Sequence, residues 1–288
     1  MGGSATLIVG ELINSTRKQI QPLLESRDAG AIVDLARRQV EAGAHLVDVN
    51  CATLMEDEVP CMEWAVRTIQ GALDVRLSID SPNPKALRRG LEVHRGRALL
   101  DSINLEQDRW RDLIPVIREF RPEVVALCMD DQGIPSTASG KLEFAARLID
   151  GLTDAGVPLE DILVDPLLFP IATDSRCVVV FLEALDLIKE RYPGVRTICG
   201  LSNVSFGLPH RAQINQVFLV LCLAHGMDAF ILDPLDRRLM ANLTTAQMLL
   251  GQDEFCRRYL AAVRAGTFDF AAPRARRREE TRGRPAEP

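Results

Sequence analysis

Short runs rich in Val, Ile and Leu alternate with longer amphipathic stretches along most of the chain. The apolar runs fall at residues 6–10, 45–50, 76–80, 98–102, 123–129, 162–165, 195–201 and 229–233, and they read as strands. Helical patterns lie between them at 31–42, 57–73, 84–94, 107–120, 141–155, 176–191 and 212–225, and a last helical region covers 236–263. Strand–helix units at this cadence are the signature of βαβ repeats. Eight of them in this length of chain predict an α/β protein built as a closed (β/α)8 TIM barrel. An open doubly wound sheet has the same cadence, because strand order is not written in the spacing.

The composition changes at Ala271, beyond which Ala, Pro, Arg and Glu dominate and large apolar residues almost vanish. Such a segment buries too little apolar surface to balance the entropy of ordering it. The expected organisation is one domain over residues 1–265 and a disordered Arg/Pro-rich tail over 266–288. The tail's cluster Arg274, Arg276, Arg277 and Arg278 reads as a solvated chain end.

A net charge of −6 argues against a nucleic-acid surface, and two Trp and two Tyr leave little platform for stacking bases. Cysteines at 51, 61, 128, 177, 199, 222 and 256 form no C-x-x-C pair and total an odd number. That is the pattern of reduced cytoplasmic thiols rather than of a disulfide frame or zinc cluster. With no basic-then-apolar leader and no apolar run of spanning length, the expectation is a cytoplasmic protein without a membrane segment.

Polar residues recur where the predicted strands end: Glu11 and Asn14, Asp48 and Asn50, Asp80, Asp101 and Asn104, Met129 and Asp130, Asp165, Asn203, and Asp233. The most informative stretch is Gly200-Leu201-Ser202-Asn203-Val204-Ser205, which sets an Asn among Ser and Gly between a strand and the helical pattern that starts near Arg211. Barrel enzymes place their chemistry at this end of the strands. Strand alternation puts most of these residues in the upper interior, where an Asp is costly unless it is paired or meets a ligand. Any single Asp is equally well explained as a helix N-cap. A polar residue at every strand end calls for a binding site.

The ring holds carboxylates and amides with few cations. A polyphosphate would need Lys, Arg or a Gly-rich cradle, and neither a Walker nor a G-x-G-x-x-G motif occurs. His45, His94, His210 and His225 are scattered, so no metal site is expected. Carboxylates and amides suit a neutral heterocycle rich in N–H donors, because one carboxylate accepts two parallel hydrogen bonds from an N–H/NH2 edge. A pterin has such an edge.

The segments Gly10-Glu11-Leu12-Ile13-Asn14, Asp48-Val49-Asn50, Ser78-Ile79-Asp80-Ser81, Val164-Asp165-Pro166-Leu167 and Gly200–Ser205 stand in order, with Arg211 and Asn215 in the following helix. On these motifs the chain resembles, over residues 6–263, the methyltetrahydrofolate:corrinoid-protein methyltransferases. It is also similar to the folate domain of cobalamin-dependent methionine synthase and, more distantly, to dihydropteroate synthase. The resemblance implies a pterin-binding barrel. In it Asp165 takes the pyrimidine N–H/amino edge, Asp80 faces the opposite side of the pterin, and Asn203 lies beside N5, the atom that carries the methyl group. Asp48, Asn50, Gly200 and Ser202 line the pocket, and Glu11, Asn14 and Arg211 surround it. Asp101 stands where the family often has an Asn in contact with the pterin, and Leu12 where it usually has an Arg.

The implied activity moves the N5 methyl group between methyltetrahydrofolate and the cobalt of a corrinoid, in either direction. Departing tetrahydrofolate would otherwise leave as an amide anion, so N5 needs a proton or a strong hydrogen bond as the bond breaks. Asn203 is the expected catalytic partner there, with water as the proton source. No nucleophilic Ser or Cys is required, since reduced cobalt attacks the methyl carbon. No Asp-x-His-x-x-Gly corrinoid-binding signature occurs, so the corrinoid is expected on a separate protein docking at the barrel mouth. The family further implies a homodimer. Two alternatives stay open: a dihydropteroate synthase-like enzyme, which would need cations for a pyrophosphate, and a non-catalytic pterin-binding subunit, against which Asn203 argues.

Overall fold

A computed structural model describes residues 6–270 of the chain. The strands are β1 (Leu7–Asn14), β2 (Leu46–Asn50), β3 (Arg76–Asp80), β4 (Leu99–Ile103), β5 (Glu123–Leu127), β6 (Ile162–Asp165), β7 (Arg196–Gly200) and β8 (Ala229–Leu232). All pair in parallel and in sequence order, and β1 pairs with β8, so the sheet closes into a barrel and the open-sheet alternative falls. Helices α1 (Gln21–Glu25) and α2 (Ala29–Glu41) follow β1, and α3 (Glu58–Ala72), α4 (Pro84–Val93) and α5 (Gln107–Phe120) follow the next three strands. They are succeeded by α6 (Ala138–Asp154), α7 (Cys177–Arg191), α8 (Arg211–Ala224), α9 (Arg237–Leu249) and α10 (Arg257–Arg264).

The two-residue period of each strand sorts its side chains into two cores. Val9, Leu46, Leu99, Val125, Leu163, Ile198 and Ala229 point inward and fill the barrel. Their alternates, among them Val47, Leu77, Ile79, Leu100, Val124 and Val164, join the helices in an outer core. Two residues earlier on the inward faces of β5 and β7 stand Glu123 and Arg196, and β3 brings Arg76. The Nη2 atoms of Arg76 and Arg196 lie 2.6 and 3.3 Å from the Glu123 carboxylate. An ion trio thus closes the floor beneath the apolar layer. Toward the other end the inward positions turn polar, through Asp48 and Ser78 to Glu11, Asp80, Asp101 and Asp165.

Departures from the expected elements have local causes. The register of β1 against β2 shifts between Gly10 and Ile13, and this bulge carries the strand on to Asn14. Gly10 has no room for a side chain, since a β-carbon would stand 2.5 Å from Gln39 Oε1. That oxygen accepts the Leu12 N–H at 3.0 Å. Strand β5 stops at Leu127, and Asp130 turns back on Gly133. The fifth strand therefore brings Leu127 to the rim in place of the expected Met129 and Asp130. The last helical region breaks into α9 and α10 where Gly251, Phe255 and Cys256 adopt positive φ.

Residues 266–270, assigned by composition to the tail, lie against the barrel's last helices. Arg237 Nη2 donates to the Gly266 carbonyl at 2.9 Å, and the Phe268 ring sits 5.0 Å from that of Tyr259. The rest of the expected tail, 271–288, lies outside the described residues. Among the described residues no helix is long and apolar enough to cross a membrane.

Candidate active site at the carboxyl ends of the strands

Helix capping does not account for the strand-end aspartates. The caps whose side chains accept a helical N–H are Asp28, Asn83, Thr137 and Asp236. Asp48, Asp80 and Asp101 instead line a cavity of about 700 Å³ at the carboxyl end of the barrel, and Asp165 ends β6 at the same end. Of the residues singled out in the sequence, Glu11, Asn14, Asp48, Asp80, Asp101, Gly200, Ser202, Asn203 and Arg211 line this cavity. Asn50 and Asp165 stand just outside this lining, Asn50 with its amide on Asp80 and Asp165 beside the Gly200 peptide.

The wall from β2 to β4 is acidic. Register places Asn50 beside Asp80 and Asp80 beside Asp101. The Asn50 amide donates to Asp80 Oδ2 at 2.7 Å, while its own oxygen accepts the Ala52 N–H at 3.0 Å. Asp48 is 3% exposed, and its Oδ1 has no hydrogen-bond partner among the described residues. Burial pushes the Asp48 carboxyl well above its ordinary range, and the charges of Asp80 and Asp101 push it further. The Asp101 carboxyl is raised in the same way, by burial and then by Asp80 and Asp165. Burial also raises Asp80, against the Asn50 hydrogen bond and the Arg109 charge. Carboxylates this close cannot all ionise cheaply without donors from a ligand.

On the opposite side, Gly200 ends β7 and the chain enters a tight turn over Leu201–Ser205. Arg211, at the start of α8, clamps that turn, its Nη2 donating to the Ser202 carbonyl at 2.7 Å and its Nε to Ser205 Oγ at 3.1 Å. The Phe206 ring lies 5.8 Å from the same guanidinium. Asn203 is held between the clamp and Gly200. Behind them, Asp165 is 4% exposed and its Oδ1 accepts the Leu167 N–H at 2.7 Å. Burial raises its carboxyl to about 6, against the Leu167 peptide and the Lys141 charge.

Glu11 bridges the two sides. It accepts Arg17 Nη2 at 2.6 Å and Ser202 Oγ at 3.5 Å. Burial raises its carboxyl and Arg17 works against the rise. Glu11 thus takes its cation from position 17 rather than from position 12, where Leu12 is buried. Asn14 closes the next turn, accepting the Thr16 N–H at 2.9 Å.

Sequence reasoning found Arg211 but missed Arg17, which also lines the cavity, and two cations behind the rim. Arg109 reaches from α5 to the carbonyls of Ser81, Pro82 and Ser102, tying the loop after β3 to the end of β4. Lys141 is buried under the loop after β6. Both sit on amphipathic helices, where a basic residue ordinarily reads as solvated. Asp233, Asp236, Asn215 and Phe206 also line the cavity, and Asp236 is accounted for as the cap of α9.

Comparison with known proteins agrees with this geometry. The family model described as pterin binding enzyme matches residues 10–233. The chain is 32% identical over 262 residues to the methylcorrinoid:tetrahydrofolate methyltransferase of Eubacterium limosum, covering 90% of this chain and 97% of that one. It is 33% identical over 241 residues to the methionine synthase of Mycobacterium tuberculosis, of which it spans 20%. Among solved structures, the dihydropteroate synthase of Xanthomonas albilineans superposes with a TM-score of 0.66 at 18% identity, over 86% of this chain and 94% of that one.

Proposed function

The chain belongs to the pterin-binding enzyme family, and on that footing we propose that it is a methyltransferase moving the N5 methyl group between methyltetrahydrofolate and the cobalt of a corrinoid carried by a separate protein. The observation that carries the reading is the wall of buried strand-end carboxylates, which cap no helix and await donors. A pterin supplies those donors. Asp165 accepts its N–H/amino edge, and Asp80, oriented by Asn50, faces the opposite side with Asp101 alongside. Asp48 forms the base of the pocket, and Glu11, Asn14, Ser202, Gly200 and Arg211 shape its mouth.

Asn203 is the catalytic residue of this reading. Its carboxamide donates to N5, or accepts from N5–H, as the carbon–nitrogen bond breaks, so that tetrahydrofolate does not leave as an anion. Water brings the proton, and the corrinoid cobalt is the second substrate. By microscopic reversibility the same groups serve either direction. The barrel shared with dihydropteroate synthase at 18% identity speaks to fold alone.

We propose that the corrinoid protein docks at the barrel mouth, a reading supported by Phe206, which lines the cavity and is 65% exposed, and by Met55 in the turn after β2, which is 77% exposed. A homodimer is assigned to the outward stripe Val217, Val220 and Leu221 of α8, which is exposed. Sedimentation of the wild type against Val220→Asp tests it. Seven free thiols favour the cytoplasm. The activity is tested by mixing the protein with methyltetrahydrofolate and free cob(I)alamin under anaerobic conditions. Absence of protein-dependent methylcobalamin formation would overturn the reading.

A further inference from the structure

Lys141 is 3% exposed, and its Nζ donates to the carbonyls of Pro166 and Leu167 at 2.8 and 2.7 Å. A lysine is a costly choice for this place. It lies in the first turn of α6, where the helix dipole disfavours a cation, and it leaves water to get there. Something specific must hold it, and the loop it holds is unusual. Leu167 adopts a φ of 54°, a left-handed conformation that a branched side chain avoids. In that conformation the Leu167 carbonyl joins the Pro166 carbonyl on the ammonium, and the N–H of the same Pro166–Leu167 peptide donates to Asp165 Oδ1 at 2.7 Å. One peptide thus links the cation to the carboxylate.

We infer that Lys141 is a positioning residue of the pterin site: through the Leu167 peptide it fixes the Asp165 carboxylate in place and supplies the counter-charge that keeps it an acceptor for the ligand's donor edge. The inference rests on the assignment of Asp165 to that edge given above. The groups facing Asp165 are Asp101 from β4, Cys128 from the segment after β5, Lys141 from α6, Cys199 from β7, and the peptides of Leu167 and Gly200. Lys141 is the one cation in that set. It lowers the Asp165 carboxyl against burial, so its removal moves that carboxyl further up.

The test titrates methyltetrahydrofolate calorimetrically into the full-length protein, Lys141→Met, Lys141→Gln, Asp165→Asn and the Lys141→Met/Asp165→Asn double variant between pH 5.5 and 8.5. Loss of an adjacent opposite charge moves a carboxylate by about one pH unit or more. Both lysine variants should therefore show the acid midpoint of folate binding displaced upward by that amount. At pH 6.5 the charge effect alone weakens binding by about threefold. In the Asp165→Asn background, Lys141→Met should produce no further loss. A lysine that merely supports the fold would lower the melting temperature in both backgrounds and leave the midpoint unmoved, which overturns the inference. Normal folate affinity in Asp165→Asn would instead overturn the assignment of Asp165. If neither lysine variant folds while Asp165→Asn does, Lys141 is a folding residue and the inference fails.

Discussion

A β-carbon on Gly200 would stand 3.0 Å from Nδ2 of Asn203. The last residue of β7 lacks a side chain where the amide assigned to N5 lies over it. Gly200→Ala should leave the barrel and folate affinity nearly intact while displacing that amide, lowering the saturating single-turnover rate by about tenfold or more. On an Asn203→Ala background the same change should cost nothing further. Equal losses in both backgrounds would assign the glycine to folding.

Asn203→Ala should reduce the rate of methyl transfer at saturating folate by about a hundred- to a thousandfold, the usual loss for one preorganised transition-state hydrogen bond. Affinity should fall much less. Single-turnover reaction of methyltetrahydrofolate with cob(I)alamin separates the two, and a wild-type saturating rate would reduce Asn203 to a pocket wall.

Asp80→Ala should weaken folate binding by about ten- to a hundredfold, because a charge-assisted hydrogen bond is lost and the Asn50 amide loses its acceptor. Asn50→Ala should cause a smaller loss in the same direction, since Asp80 keeps its charge but not its orientation. Both are read by equilibrium titration. Normal affinity together with a lower melting temperature would mark Asp80 as structural.

The folded Asp48 carboxyl titrates well above its ordinary range, so ligand-free stability falls as pH rises from the usual carboxylate range toward the folded value. Below that window both states are protonated and the effect vanishes. Asp48→Asn removes the buried charge and should raise the melting temperature at pH 8 by about 2–4 °C for each kcal/mol recovered, with a smaller gain at pH 5. Burial lowers His45 and His94, which oppose this trend in wild type and variant alike. Their contribution cancels in the difference. A gain independent of pH would show that Asp48 carries no charge to lose.

The barrel and the polar rim were legible in the sequence because both follow from a period of two. Asp48, Asp80, Asp101 and Asp165 each stand an even number of residues from an inward position, so finding the strands finds the site. The bulge in β1 was not legible, since it arises from pairing with β2 and leaves no mark on the Gly10–Asn14 motif itself. The end of β5 was missed for a related reason, as Cys128 and Met129 are apolar yet lie in the segment beyond the ladder. The cations behind the rim were the largest gap. Lys141 and Arg109 occupy helical positions where a charge ordinarily faces water, and only the packed loops reveal that each is committed to carbonyls at the rim.

The ion trio of Arg76, Glu123 and Arg196, with the apolar layer above it, makes the barrel a blind well. Whatever enters between the strand ends leaves by the same doorway. If the corrinoid carrier seats over that doorway, traffic must be sequential: folate goes in before the carrier arrives, and its product comes out after the carrier departs. Excess carrier protein should then trap folate inside and slow its exchange, a queue imposed by the closed floor rather than by the chemistry of the rim.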